Sequence, residues 1–219
     1  MGIIWQIALT YIGAVVGAGF ASGQEILQFF AIFGGKGLWG AALASGLFAL
    51  VGGELLILAR EIKAKSYQMV LYHLCGHRLG RIYDLLLTGF LFVGLAIMLS
   101  GSGRILAELG LMNPLGPLVM ALLVGGITSF GNEGLLGASL ALVPWLLGGC
   151  FALLCFSAAS PAHGVLHVGT FPPWWFAALL YVSYNMGLAL AVLTSLAEEV
   201  PSRQARLAGL LGGFGLGAA

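Results

Sequence analysis

The chain has 219 residues, of which 60% are hydrophobic and 8% are charged, and its formal net charge is +1. Soluble domains carry about 25% charged residues, so this chain has too few to cover a surface that faces water. The composition therefore predicts an integral membrane protein. It excludes a nucleic-acid-binding protein, a secreted disulfide-stabilised domain and a soluble enzyme.

Apolar runs divide the chain into six complete helices, because a bilayer core about 30 Å thick needs roughly 20 apolar residues per crossing. A seventh apolar run begins at residue 207, and its thirteen residues up to residue 219 cannot span. We therefore expect one all-α polytopic transmembrane domain over residues 1–219, which forms the N-terminal part of a longer architecture. The predicted helices cover residues 3–33, 38–59, 85–106, 115–130, 135–158 and 174–197.

The basic residues indicate the orientation of the chain. Lys and Arg concentrate in the segment 60–84, which we predict to be an amphipathic loop. Cytoplasmic loops carry an excess of Lys and Arg, so this loop and the N-terminus are expected in the cytoplasm and the protein in the cell inner membrane. The basic residues of the loop are Arg60, Lys63, Lys65, Arg78 and Arg81.

The first predicted helix is too long for one crossing and has a weak point near its centre. As one straight helix, residues 3–33 would measure about 46 Å, well beyond the bilayer core. Gly17, Gly19 and Gly23 lie within seven residues. Each glycine inside a helix costs about 1 kcal/mol relative to alanine, so this stretch is the weakest helix in the segment.

A new helix start follows the glycines directly. Ser22 and Glu25 have the S-x-x-E spacing of a capping box, in which the two side chains satisfy free backbone N–H groups at the beginning of a helix. We therefore predict two half-helices, over residues 3–16 and 23–33, joined by an unwound turn.

An unwound turn at membrane depth is typical of transporter binding sites, because only protein or a water-filled cavity can satisfy its backbone groups. The alternative is that the glycines only let another helix approach closely. Glu25 lies just beyond the turn. It is either the partner of Ser22 in the capping box, or an ionisable group that binds a proton or cation for transport.

A weak internal repeat supports the transporter interpretation. When the chain is shifted by 170 residues, the second copy runs in the opposite direction through the membrane. Such inverted repeats, with interrupted first helices, are typical of secondary transporters. We therefore predict a second interruption in the sixth helix, at residues 183–187. The shift pairs Trp5 with Trp175, Tyr11 with Tyr181, and Gly17 with Gly187.

Two short runs carry a resemblance to a known family. The run VGAGFASGQEI at residues 16–26, together with YVSYN at residues 181–185, resembles the YkvI-type family of bacterial membrane proteins. That family looks like a distant member of the amino acid-polyamine-organocation superfamily, which has the leucine-transporter fold of five plus five inverted helices. The resemblance implies alternating-access transport of a small organic solute such as an amino acid, coupled to Na⁺ or H⁺.

The sequence thus predicts a symporter that resembles an amino acid permease, in contact with a small-molecule substrate and the lipid bilayer. No nucleic acid, metal site or cofactor beyond the coupling ion is expected. No nucleophile-base pair or metal triad is visible, so no enzyme is expected. The alternative is a non-transporting membrane scaffold or assembly subunit, and a homo-oligomer is left open. The predicted substrate or ion site comprises Gly17, Ala18, Gly19, Ser22, Gly23, Glu25, Tyr181, Ser183, Tyr184 and Asn185.

Overall fold

A computed structural model describes residues 2–16, 23–110, 115–158 and 172–218, and all regular structure in these ranges is helical. Two short 3-10 helices, Ala31–Phe33 and Ala197–Glu199, accompany the α-helices. The α-helices are α1 (Ile3–Val15), α2 (Gln24–Phe29), α3 (Gly35–Glu61), α4 (Tyr67–Glu108), α5 (Leu115–Thr128), α6 (Gly131–Ala158), α7 (Trp174–Leu196) and α8 (Ser202–Ala218).

Four of these helices, α3, α4, α6 and α7, are long and apolar enough to cross a membrane. Helix α5 has only 14 residues, and α1 and α2 are also short. The prediction of an all-helical polytopic membrane protein is confirmed for the described residues.

The first predicted helix is divided, as the sequence indicates. Helix α1 ends at Val15, and the non-helical Val16 donates its backbone N–H to the carbonyl oxygen of Ile12. A separate helix, α2, begins after Gly23, which has the left-handed angles φ 72° and ψ −2° that glycine adopts readily. Residues 3–33 are therefore divided, but the second half-helix ends at Phe29 rather than at residue 33. The predicted unwound turn falls on residues 17–22, which lie outside the described residues.

The predicted capping box is wrong in its register. Gly23, and not Ser22, is the residue that caps α2, and it makes no side-chain capping bond. Glu25 is therefore the second residue of the helix rather than the third, where a capping-box glutamate would be.

The predicted interruption of the sixth helix is also wrong, because α7 is continuous from Trp174 to Leu196. The hydroxyl of Ser183 donates to the carbonyl oxygen of Leu179 at 2.7 Å, and Nδ2 of Asn185 donates to that of Tyr181 at 3.0 Å. Each of these polar side chains finds its acceptor one turn earlier in its own helix. The helix therefore needs no break to accommodate them.

The predicted amphipathic loop at residues 60–84 is largely helical. Helix α4 starts at Tyr67 and turns sharply at Gly76, which has φ 73° and ψ 170°, a conformation essentially restricted to glycine. In a straight helix Tyr67 and Thr88 would lie about 30 Å apart. Their hydroxyl oxygens are 2.9 Å apart, so residues 67–75 fold back along the rest of α4 as a helical hairpin.

The closest helix contact joins α3 to α8, which begins at Ser202, before the predicted start at residue 207. The two helices run antiparallel, and small residues at every fourth position face each other, so their backbones touch. The three facing pairs are Gly53 with Gly209, Ala49 with Gly213, and Ser45 with Gly217. At the exposed end of this contact, Nη2 of Arg206 lies 3.0 Å from Oε1 of Glu54.

Gly213→Ala is expected to lower the free energy of unfolding by about 1–3 kcal/mol, because the added methyl group would overlap the α3 backbone at Ala49. The matched control is Gly46→Ala on α3, where nothing lies within 4 Å of the new methyl group. It should leave stability unchanged or raise it by up to about 1 kcal/mol. Thermal unfolding in detergent micelles measures both, and equal melting temperatures for the two variants would contradict the close contact.

Candidate functional site

Aromatic rings fix the short helix α2 against α7. The Phe29 ring centroid lies 5.4 Å from that of Tyr181 and 5.8 Å from that of Tyr184. Phe30 packs edge-to-face on Tyr181 at 5.0 Å. Such pairs contribute about 0.5–1.5 kcal/mol each beyond the area they bury. The half-helix that follows the break is therefore held by two tyrosines of a continuous helix.

A ring of α3 connects the two aligned tyrosines of the weak repeat. Phe48 packs edge-to-face on Tyr181 at 5.8 Å and on Tyr11 at 6.5 Å between ring centroids. Tyr11 and Tyr181 are paired by the shift of 170 residues. Phe48 therefore joins α1 and α7 through these two tyrosines.

Tyr11 is a structural residue of the site that the sequence analysis did not single out. It is fully buried, and its hydroxyl donates to the carbonyl oxygen of Phe48 at 2.9 Å and contacts Sδ of Met186 at 3.3 Å. Its ring lies between Gly52 and Gly212, where any side chain would overlap it. The sequence does carry a signal for this role, because a tyrosine hydroxyl buried in an apolar span needs a hydrogen-bond partner.

Glu25 is the acidic group of the site. The hydroxyl of Tyr184 faces its carboxylate. The other feature of this carboxylate is Oε2, which is buried and has no hydrogen-bond partner among the described residues. A buried charged oxygen without a partner is costly, and a bound proton or cation removes that cost. This oxygen is therefore available to a cation or a hydrogen-bond donor of a ligand.

The structure brings together only part of the predicted site. Glu25, Tyr181 and Tyr184 lie in one cluster, and Gly23 caps the helix that carries Glu25. Asn185 is buried in the packing of α7 and bonds within its own helix. Ser183 is exposed and bonds within α7 as well. The predicted positions that lie outside the described residues are Gly17, Ala18, Gly19 and Ser22.

Two cavities flank the aromatic cluster. The first, of about 300 Å³, lies between α2, α3, α7 and the end of α8, and its wall includes Phe30, Phe48 and Tyr181. The second, of about 460 Å³, lies between α3, α4 and α7 and includes Tyr184 and Ser183. Ligand cavities typically measure about 300–1,000 Å³, so each can hold a small molecule. Within the described ranges no three metal-binding side chains cluster.

The fold and the cluster define a polytopic α-helical membrane protein with an interrupted first helix. The chain is 35% identical to the uncharacterized membrane protein YkvI of Bacillus subtilis (strain 168) over 213 residues, which are 95% of this chain and 61% of that protein. It is 27% identical to the uncharacterized protein YyaD of the same organism over 216 residues, 97% of this chain and 62% of that protein.

These similarities support the resemblance to a YkvI-type family of membrane proteins. The chain spans about three fifths of the length of the curated relatives it matches. No protein-family model and no solved structure matches the chain.

Tyr181→Leu is expected to lower the free energy of unfolding by about 2 kcal/mol or more, because the ring contacts four other aromatic rings. Tyr181→Phe keeps these contacts and should cost less than about 1 kcal/mol. Tyr83→Leu, at a tyrosine that is 52% exposed, is the surface control. Chemical denaturation in micelles measures all three, and a Tyr181→Leu effect as small as that of Tyr83→Leu would refute the role given to the cluster.

Proposed function

We propose that the protein is, or forms the N-terminal part of, a secondary active transporter. It binds a small organic solute such as an amino acid and couples its movement to Na⁺ or H⁺. The observation that carries this proposal is the interrupted first helix, after which Glu25 lies against the tyrosines of α7. Interrupted helices in membranes are typical of substrate and ion sites.

The solute site is proposed at the cavity of about 300 Å³ beside the break. Ile26 and Phe30 form its wall on the side of α2, and Tyr181 forms it on the side of α7. An apolar side chain of the solute would pack against these rings. Its polar groups would face the Glu25 carboxylate, which directly precedes Ile26 in the chain, as expected for a leucine-transporter-like fold with inverted repeats.

Glu25 is the proposed coupling group. Binding of a proton or Na⁺ at the buried Oε2 would neutralise the carboxylate and remove the cost of enclosing a charge among aromatic rings. The site could then close over solute and ion together. Release of the ion on the opposite side would restore the charge and favour the open state. The Tyr184 hydroxyl would hold the carboxylate in place through both steps.

The orientation is part of the same proposal. Helix α3 and the long segment of α4 run in opposite directions, and the chain between them carries most of the basic residues. In this proposal these residues therefore lie together on one side of the membrane. We assign this side, and the N-terminus, to the cytoplasm of a cell with the protein in its inner membrane.

Counterflow in liposomes tests the transport proposal. The purified protein should accumulate at least one labelled amino acid from a broad panel, saturably and in response to an ion gradient. Glu25→Gln should lower gradient-driven uptake at least tenfold and spare exchange of solute between the two sides, since the neutral amide cannot release an ion. Glu54→Gln, which breaks only an exposed ion pair, is the acidic control and should transport normally.

Two outcomes would contradict the proposal. One is the absence of saturable, gradient-coupled uptake for every amino acid of the panel. The other is gradient-driven uptake by Glu25→Gln at the level of Glu54→Gln, because the coupling group would then lie elsewhere.

A scaffold or assembly subunit is the second candidate function, and the α3–α8 contact is the observation that favours it. At that contact the glycines let the two helix backbones approach closely. A scaffold would tolerate Glu25→Gln and Asn185→Ala, whereas Gly213→Leu would abolish capture of its membrane partners. Loss of uptake in Glu25→Gln with intact assembly would exclude this candidate.

A further inference from the structure

The helical hairpin of α4 carries a pair of arginines that the transport proposal does not use. The hairpin is closed by Asp84, whose two carboxylate oxygens accept hydrogen bonds from Nε2 of Gln68 at 3.1 and 2.9 Å. The hydroxyl of Tyr72 also donates to Asp84. The acidic group of this turn is therefore engaged across the hairpin and does not pair with a neighbouring arginine.

Arg78 and Arg81 lie one turn apart and are both exposed. Neither forms an ion pair with any part of the chain that the structure describes, and Nη2 of Arg81 contacts only the ring nitrogen Nε2 of His77, at 3.2 Å. Two guanidinium groups with uncompensated charge thus stand side by side on one helix.

The direction of the arginines follows from the helix itself. Tyr83, Leu86 and Phe90 form the stripe of α4 that lines the cavity shared with α7. At about 100° per residue, Arg78 and Arg81 fall on the opposite face of the helix. They therefore lie away from the face of α4 that meets α7, and the exposed Ile82 lies beside Arg78.

The arginines lie at the membrane surface. The uncharged run of α4 begins at Leu85, so Arg81 stands about 6 Å before it along the helix axis, within the headgroup layer, and Arg78 stands about 10 Å before it, just outside that layer. The headgroup layer is about 5–8 Å thick on each side of the hydrocarbon core. Arginine side chains reach along the helix to charged groups at this level.

We propose that Arg78 and Arg81 form a binding site for the phosphate of an anionic phospholipid headgroup. Charge complementarity selects an anionic lipid over a zwitterionic one, and the planar guanidinium groups match phosphate oxygens in pairs. The exposed Ile82, about 5 Å before the uncharged run, is the apolar side chain beside them that lies nearest the acyl chains. The exposed Lys63 and Lys65, which precede the hairpin, add positive charge on the same side of the membrane.

The test uses the purified protein in nanodiscs of phosphatidylcholine with a minor fraction of phosphatidylglycerol. Native mass spectrometry then counts the lipids that the protein retains. The protein should retain phosphatidylglycerol preferentially. Arg78→Gln/Arg81→Gln should lower that preference about tenfold or more, since each basic residue near the surface contributes roughly fivefold. Arg78→Lys/Arg81→Lys keeps both charges and should retain most of the preference.

The matched control is Lys36→Gln/Arg104→Gln, which removes two exposed cations at the opposite membrane surface and should leave the preference unchanged. Equal retention of both lipids by the wild-type protein would overturn the proposal. An equal loss in the control pair would do so too, because it would show a general charge effect. Displacement of the lipid by soluble glycerol phosphate would assign the arginines to a free phosphate ligand instead.

Discussion

The close approach of α3 to its neighbours is the constraint on which the rest of the structure depends. Helices in a bilayer gain little from the hydrophobic effect, so they associate through dense packing of small residues. Ala49 and Gly53 let the α8 backbone touch α3, and Gly52 admits the ring of Tyr11 from α1. Phe48 of the same helix meets Tyr181 of α7. Helix α3 thus fixes the positions of α1, α7 and α8, because all three pack against it.

This packing sets the position of the acidic group. Tyr181 is held by Phe48 on one side, and on the other it holds Phe29, the last residue of α2, and the adjoining Phe30. Helix α2 is too short to be stable alone, so its place in the membrane depends on these rings. The carboxylate of Glu25 consequently lies beside Tyr184, in the helix that follows the break between α1 and α2.

The sequence predicted the membrane class and the division of the first helix well, because both depend on local composition and glycine content. It failed at residues 183–187, since a serine or asparagine can bond the carbonyl one turn earlier and leave α7 unbroken. It also missed the Gly76 hairpin and the structural role of Tyr11. Both depend on contacts between residues far apart in the chain, such as Tyr67 with Thr88 and Tyr11 with Phe48.

The central claim is that Glu25 of α2 and Tyr184 of α7 act as one unit. A double-mutant cycle of Glu25→Gln and Tyr184→Phe, read out as gradient-driven solute uptake in liposomes, measures this most directly. If the hydroxyl acts through the carboxylate, the double variant should be no more impaired than Glu25→Gln alone. If the two losses multiply, the residues act independently, and the site proposed here is contradicted.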